Sequence, residues 1–373
     1  MVLIDVWACL VALAMILYVV LDGITLGIGI LFGAVSGEKD RSLLVATIAP
    51  VWDANQTWLL FGGGAIFAAF PVVYTVLSSA LYLPLITFIT GLIFRGVAFE
   101  FRGGGERRRA WDLAFFLGSI TACVSQGLTL GGLLTGITVS RRLFAGGPFD
   151  WLNPFSVMVG VALIPGYIML ASTYLIIKTT GAVQEKAYSL ACVSALIVLG
   201  FMALVTVWTP YHYPQVLNAW LGSPRVYFVW TFPLLGLFAA YRLVKGVRGR
   251  YDTGSHSKVH RGGAEVPTQA YSVVRRGERR GANEDGAKKA ARYEHSPLIW
   301  AVVLFLSGYL GLAASLYPYA IPPSITIAQA AAREETLLFT LWGALIVLPV
   351  VLAYTAYSYW VFRGKAGREE GYG

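Results

Sequence analysis

The amino-acid sequence predicts an all-α polytopic membrane protein with nine transmembrane helices, its N-terminus outside and its C-terminus in the cytoplasm. Three observations lead to this prediction. Of the 373 residues, 57% are hydrophobic and only 13% are charged, whereas a soluble domain has roughly 25% charged residues. Long apolar runs recur along the chain, and basic residues gather on one side of them. The runs are too long and too uniform for the short alternating strands of a membrane barrel.

Nine apolar runs approach the length of about 20 residues that crosses a hydrocarbon core. In lipid the backbone must be hydrogen-bonded within each segment, so every run is predicted to be a helix. The first lacks a basic flank and is too long for a signal peptide core, so it should remain in the mature protein. The predicted spans are residues 6–32, 52–70, 72–101, 113–139, 154–177, 187–208, 226–243, 298–316 and 336–362.

Polar or turn-forming residues separate these spans in order. The second span reaches its length only if the polar stretch 52–56 forms its first turn, and Pro71 separates it from the third by a tight turn. The remaining spans are delimited by charged or proline-containing stretches at 102–109, 140–154, 178–186, 209–225, 245–295, 317–335 and 363–368.

The distribution of basic residues predicts the orientation. Nine spans place 24 of the 29 Lys and Arg residues on the side of the C-terminus and four on the other side, with Arg95 inside a span. Basic loops stay in the cytoplasm, so the C-terminus is predicted there. Residues 1–373 are thus predicted to form a single membrane domain.

Residues 245–295, between the seventh and eighth spans, differ from the rest. They are rich in Gly, Arg, Lys and Glu and too polar to pack a core, which predicts a basic, largely disordered or weakly helical cytoplasmic loop. Such a loop can rest on anionic membrane lipid or serve regulation. The net charge of +9 is explained by this topology, and no nucleic-acid partner is expected.

Neither a catalytic nor a metal-ligating residue is predicted in this chain. Haem iron needs an axial ligand such as His, Met or Cys. The histidines at 212, 256, 260 and 295 lie in loops or at a span boundary, and the three cysteines are far apart. The chain is therefore expected to ligate no haem by itself.

Charged residues inside spans are costly in a bilayer, which makes them candidates for function. Asp22, deep in the first span, is either a proton-relay carboxylate or a buried acid that fixes helix packing. Arg95 can pair with a carboxylate of another helix or with a propionate of a partner's cofactor. Glu100 is expected to be solvated near the membrane boundary, and Arg102 to lie at the cytoplasmic boundary.

A second polar group begins the second span, where Trp52, Asp53, Asn55 and Gln56 precede Trp58. Asp53 alone could be an N-cap that accepts hydrogen bonds from free backbone N–H groups. Three polar side chains between two indole rings exceed what a cap requires. The sequence therefore favours a buried hydrogen-bond network at the start of this span.

A series of short motifs extends along nearly the whole chain. They are Leu21-Asp22-Gly23 with Leu26-Gly27, Pro50-Val51-Trp52-Asp53 with Asn55-Gln56 and Trp58-Leu59, Gly63-Gly64-Ala65 with Phe67-Ala68-Ala69-Phe70-Pro71, Arg95 to Arg102, Trp111-Asp112, Asn153-Pro154-Phe155, and Tyr354-Thr355 before Tyr359-Trp360. With these motifs in this order, the sequence resembles subunit II of the cytochrome bd family of quinol oxidases. The motifs do not decide whether it belongs to the cyanide-insensitive branch of that family.

The resemblance implies a subunit paired side by side with a similarly folded subunit I. In this family subunit I holds two haems b, one haem d and the quinol site, and the complex oxidises quinol and reduces O2 to water without proton pumping. By position, Asp53 with Asn55 and Gln56 resembles the family's proton route, and Trp58 a residue near its proposed oxygen route. Thr25 stands where the family commonly has a second Asp, which weakens a two-acid route through Asp22.

Several ligands and functions remain open at this stage. Ubiquinol and menaquinol are both possible substrates, and a structural quinone or lipid and a small accessory subunit are possible further partners. Trp52, Arg95 and Glu100 are candidates for buried charge or partner contact. The intramembrane charges also fit a secondary transporter, although no second half with matching broken helices is found. A purely structural scaffold is the third alternative.

Overall fold

The structure is a computed structural model, and it describes residues 1–104, 107–212, 225–259 and 280–366. Side chains are described in these ranges except at residues 104, 209–212, 225–229, 249–259 and 280–293. These ranges contain α1 Val2–Leu31, α2 Glu38–Ile48, α3 Trp52–Ala69, α4 Pro71–Ala80, α5 Tyr82–Phe101, α6 Arg108–Leu134, α7 Pro154–Lys178, α8 Ala182–His212, α9 Arg225–Val259, α10 Arg280–Leu316, α11 Ile327–Ala330 and α12 Glu334–Val361. Two short hairpins pair β1 Val139–Ser140 with β2 Leu143–Phe144 and β3 Tyr319–Ile321 with β4 Ile325–Thr326.

The helical membrane architecture predicted from the sequence is confirmed. Within the described ranges, seven helices are long and apolar enough to cross a membrane, or eight if the bent pair α3–α4 counts as one span. The seventh predicted span, residues 226–243, falls in α9, whose side chains are described only from Trp230 to Arg248. The predicted loop 245–295 overlaps the end of α9 and the start of α10, and its residues 260–279 lie outside the described part of the chain.

The prediction of one continuous helix over residues 72–101 is wrong. Within this range α4 ends at Ala80 before α5 begins at Tyr82. The 116° bend between α3 and α4 lies before it, at the position where the sequence predicts a tight turn at Pro71. Pro71 occupies the first turn of α4, where its missing N–H costs nothing. Pro84 plays the same part in α5, because it has no N–H to donate to the carbonyl of Ala80 and so favours a new helix start.

The core forms around the second half of α1. Every residue from Asp22 to Leu31 is buried, and this half packs against α3, α6 and α7. Close approach depends on small residues, as expected for helices in a membrane. A Cβ on Gly91 of α5 would lie 2.7 Å from the backbone nitrogen of Ala122 and 2.8 Å from the carbonyl oxygen of Gly118, both in α6.

Candidate functional site

A buried ion pair joins α1 to α5 at the centre of the protein. Arg95 Nη2 donates to both carboxylate oxygens of Asp22, at 2.9 and 3.1 Å, and Nη1 donates to Thr25 Oγ1 at 3.1 Å. The hydroxyl of Thr25 is close to Asp22 Oδ1 and also lies 2.8 Å from the Asp22 carbonyl oxygen. Asp22 is 0% and Arg95 2% exposed. The structure thus brings together two charges that the sequence placed in different spans.

Burial makes this pair costly to disturb. Two charges taken out of water interact strongly only when they remain paired, and removal of one partner leaves the other as an uncompensated buried charge. The guanidinium is not fully satisfied, because Arg95 Nε has no hydrogen-bond partner among the described residues. Thr25, where a second acid would add negative charge, instead contributes a neutral hydroxyl. The arrangement is that of one cation balanced by one anion.

A second polar contact joins α3 to α1 and α12. Asn55 is completely buried; its Nδ2 donates to the carbonyl oxygen of Leu21 at 3.1 Å, and its Oδ1 accepts from Tyr359 OH at 3.2 Å. Leu21 directly precedes Asp22, so the amide group of Asn55 lies beside the turn of α1 that carries the ion pair. The sequence identified Tyr359 only as part of the motif Tyr359-Trp360 and gave no indication that it contacts Asn55.

Further buried polar atoms surround these two contacts. Trp58 and Thr355 lie one turn from Asn55 and Tyr359, on the facing helices α3 and α12, while Tyr18 precedes Asp22 by one turn of α1. The indole nitrogen of Trp58 and the hydroxyls of Tyr18 and Thr355 are buried without a hydrogen-bond partner in the described structure. Trp58 is 0% exposed, so it lines the interior of the subunit.

Asp53 does not join this interior. It lies in the first turn of α3 with its side chain exposed on the surface of the chain, and Gln56 is half-buried on the same side. Trp52 packs on Phe99 with ring centroids 5.0 Å apart. Phe99 precedes Arg102 by three residues, so the first residue of α3 contacts α5 about one helical turn, roughly 5 Å along the helix, from Arg102. The side chain of Glu100 is exposed on the surface of this chain.

Sequence reasoning missed a charged cluster at the end of the bundle, in which Arg102, expected at the membrane boundary, is a buried member. Asp112 accepts from Arg102 Nε at 2.6 Å and from Arg41 Nη1 at 2.9 Å. Glu38 pairs with Arg102 at 3.0 Å and with Arg108 at 3.1 Å. Arg102 and Asp112 are both buried. The motif Trp111-Asp112 was the available signal, but the sequence does not show which basic residues face it.

A second missed cluster lies at the C-terminal end of α7. Lys365 donates to the carbonyl oxygens of Ile176 and Thr179 and forms an ion pair with Glu294. Lys178 Nζ donates to the carbonyl oxygen of Phe362. Residues distant in sequence thereby tie the segment after α12 to the end of α7 and to Glu294 within α10.

A cavity of about 870 Å³ opens between α7, α8 and α10 near the other end of the bundle. Its wall is mostly apolar, with Phe155, Phe201 and Trp230 among the aromatic residues and Thr135, Ser307 and Ser315 among the few polar ones. An elongated apolar molecule fits such a lining better than a charged substrate does.

The described residues contain no group of three or more His, Cys, Asp or Glu side chains that could hold a metal ion. Of the four histidines, only His295 has a described side chain, and it lies near the polar end of α10.

These features define a multi-pass helical membrane subunit with a polar centre. A family model described as cytochrome bd terminal oxidase subunit II matches residues 3–258 and 280–362. The chain belongs to this family, and hence to a respiratory oxidoreductase complex of the bacterial inner membrane. The membership argues against the secondary transporter.

Relatives support this family along nearly the whole chain. The cytochrome bd-I ubiquinol oxidase subunit 2 of Escherichia coli strain K12 is 28% identical over 403 aligned residues, covering 98% of this chain and 95% of that protein. The cytochrome bd ubiquinol oxidase subunit 2 of Bacillus subtilis strain 168 is 33% identical over 192 residues, or 50% and 57% of the two chains. A chain of the bd oxidase structure from Geobacillus thermodenitrificans shares the fold, with a TM-score of 0.73, 17% identity and coverage of 97% and 99%.

Proposed function

We propose that this chain is the non-haem subunit II of a quinol:oxygen oxidoreductase. Its nine helices would have the N-terminus outside and the C-terminus in the cytoplasm. A haem-bearing subunit I would hold two haems b and one haem d, which supply electron transfer from quinol and the reduction of O2 to water without proton pumping. The family assignment and the agreement of charge distribution with this topology support the proposal. The chain's own role is to support assembly of subunit I and to provide access for protons and oxygen.

The observation that carries the proton role is the position of Asp53. Its exposed carboxylate lies near the charged cluster that contains Arg102 and Asp112. It is two residues from Asn55, which is buried and hydrogen-bonded to Tyr359 and to α1. A carboxylate can accept a proton from the cytoplasmic side, and the amide and hydroxyl groups behind it offer hydrogen-bond partners toward the interior. Gln56, on the next turn of the same surface, extends the polar surface. Asp53, Asn55 and Gln56 are therefore our proposed proton route.

The same surface of α3 is our proposed docking face for subunit I. Asp53, Leu60, Gly64 and Phe67 are exposed at intervals of three to seven residues, which places them along one stripe. A Cβ on Gly64 would meet nothing within 4 Å, so another helix can approach closely there. A carboxylate facing lipid would be costly, and a protein partner with a hydrogen-bond donor removes that cost.

Asp22 is better suited to a fixed charge than to proton transfer. It is held by two charge-assisted hydrogen bonds from Arg95 and by the nearby hydroxyl of Thr25, and protonation would forfeit these interactions. We therefore assign Asp22 and Arg95 to packing of α1 against α5. Trp58, buried beside the apolar core, is our candidate for the wall of an oxygen route.

The large apolar cavity between α7, α8 and α10 has room for a further ligand. Its volume and lining suit an acyl or isoprenoid chain, so we propose that a membrane lipid or a structural quinone occupies it. Binding there would fill the space between α7, α8 and α10 and stabilise the subunit by mass action.

The decisive experiment is Asp53→Asn in the purified complex, with Glu185→Gln as the matched control. Glu185 is an exposed carboxylate in the first turn of α8. We expect Asp53→Asn to retain the reduced-minus-oxidised bands of haems b and d while oxygen consumption per haem d falls by about a hundredfold, the lower end of general acid–base effects. The control should change neither quantity. Unaltered turnover in Asp53→Asn would refute the proton role.

A further inference from the structure

The segment that follows α12, residues 362–366, forms a C-terminal clasp on the end of α7. Lys178 donates to the carbonyl oxygens of Phe362 and Gly364, and the backbone N–H of Ala366 donates to the Lys178 carbonyl at 2.9 Å. In return, Lys365 Nζ donates to the carbonyl oxygens of Ile176 at 3.2 Å and Thr179 at 3.1 Å. The clasp therefore consists of reciprocal bonds between two chain segments far apart in sequence.

These bonds satisfy groups that a helix end leaves free. The last four carbonyl groups of a helix have no partner within the helix, and lysine side chains near a C-terminus both bond them and interact favourably with the helix dipole. Glu294 of α10 completes the clasp: it pairs with Lys365 at 2.8 Å and accepts from Gln184 of α8 at 3.1 Å. Gln184 also donates to the Ile176 carbonyl. Four helices are thus joined at one point.

The clasp begins one helical turn after Tyr359. Within this chain, helix α12 buries only Leu337, Ala344, Thr355 and Ser358 among its 28 residues, and the hydrogen bond from Trp7 to the Leu337 carbonyl lies at its opposite end. The hydrogen bond from Tyr359 to Asn55 is 3.2 Å long, and a shift of α12 by about 1 Å would carry it beyond hydrogen-bonding distance. The clasp lies only three residues beyond Tyr359, so it can oppose such a shift at this end of α12.

We infer that Lys365, together with Glu294, is a positioning residue that holds Tyr359 against Asn55. It acts through the end of α12 and touches neither member of that pair. The inference rests on the proposed proton route, because its effect on turnover requires that the Asn55–Tyr359 contact matter for proton access. Its effect on the structure of α12 does not depend on that route.

The test is a double-mutant cycle in the purified complex, with Lys365→Met, Tyr359→Phe and the double variant. We expect Lys365→Met to lower oxygen consumption per haem d by about five-fold, within the range of coupling through a packed element. The double variant should lose no more than Tyr359→Phe alone, since Lys365 has no effect once Tyr359 is gone. Hydrogen–deuterium exchange should rise in residues 355–362 of Lys365→Met, and Lys365→Arg should restore most of both properties.

Lys186→Met is the matched control, because it removes an exposed positive charge from the first turns of α8 without touching the clasp. It should leave exchange in α12 and turnover unchanged. Additive losses in the cycle, or normal exchange in Lys365→Met, would overturn the inference. If Tyr359→Phe and Asp53→Asn both leave turnover intact while exchange still rises in Lys365→Met, the proposed proton route fails and the mechanical role of the clasp stands.

Discussion

Neutralising one member of the central ion pair should destabilise the subunit far more than neutralising both. In Arg95→Met the carboxylate of Asp22, 0% exposed, loses two hydrogen bonds of 2.9 and 3.1 Å. Breaking a buried pair by removal of one partner costs about 3–5 kcal/mol. At 1.4 kcal/mol per factor of ten, the folded-to-unfolded ratio falls by roughly two to nearly four orders of magnitude.

The compensating variant sharpens this prediction. Asp22→Asn combined with Arg95→Met removes both charges while keeping similar side-chain volumes, and replacing an entire buried pair is often nearly neutral. The assay is denaturant titration of the detergent-purified chain, followed by tryptophan fluorescence, with Arg141→Met at an exposed hairpin position as control. We expect a coupling free energy of about 2 kcal/mol or more between the two sites. Strictly additive single-variant losses, or single losses below about 1 kcal/mol, would refute the reasoning.

Two further predictions concern the charged cluster around Asp112 and the close packing of α5 on α6. Asp112→Asn should weaken the bonds of two arginines and lower the free energy of unfolding by about 2–3 kcal/mol; the same titration at low and high salt checks it, and a loss abolished by salt would show that the cluster is screened rather than buried. Gly91→Ala should cost about 1–3 kcal/mol by overpacking, since its Cβ would lie 2.7 Å from the backbone of α6. Gly200→Ala is the matched control, because a Cβ there meets nothing within 4 Å, and it should instead stabilise α8 by roughly 0.5–1 kcal/mol; equal effects would contradict the packing argument.

The membrane class and most helix positions could be predicted because they depend on local composition. Apolar length determines whether a segment can cross a bilayer, and this information lies within each segment. The break at Leu81 was missed, although Pro84 supplied a local signal, because hydropathy alone does not register the lost backbone donor. The short helix α2 was missed because it is too short and polar to resemble a span.

The candidate site could be predicted only in its residue types. Asp22 and Arg95 were recognisable as costly charges, yet their pairing depends on the register of α1 against α5, which no local pattern encodes. The buried amide of Asn55 was expected to join a hydrogen-bond network, but its partner Tyr359 lies 304 positions away. The sequence prediction placed Asp53 in the same network, but in the structure its side chain points outward. Asp53 and Asn55 are two residues apart, and helix residues at this separation lie on different faces.

The position of Asp53 at the start of α3 has an electrical consequence. A membrane potential of 100 mV is worth about 2.3 kcal/mol for one elementary charge that crosses its full extent. In the proposed topology Asp53 lies about one helical turn from Arg102 on the cytoplasmic side, so a proton bound there would have crossed little of the potential. Most of the potential would then act on charge that moves inward from Asp53.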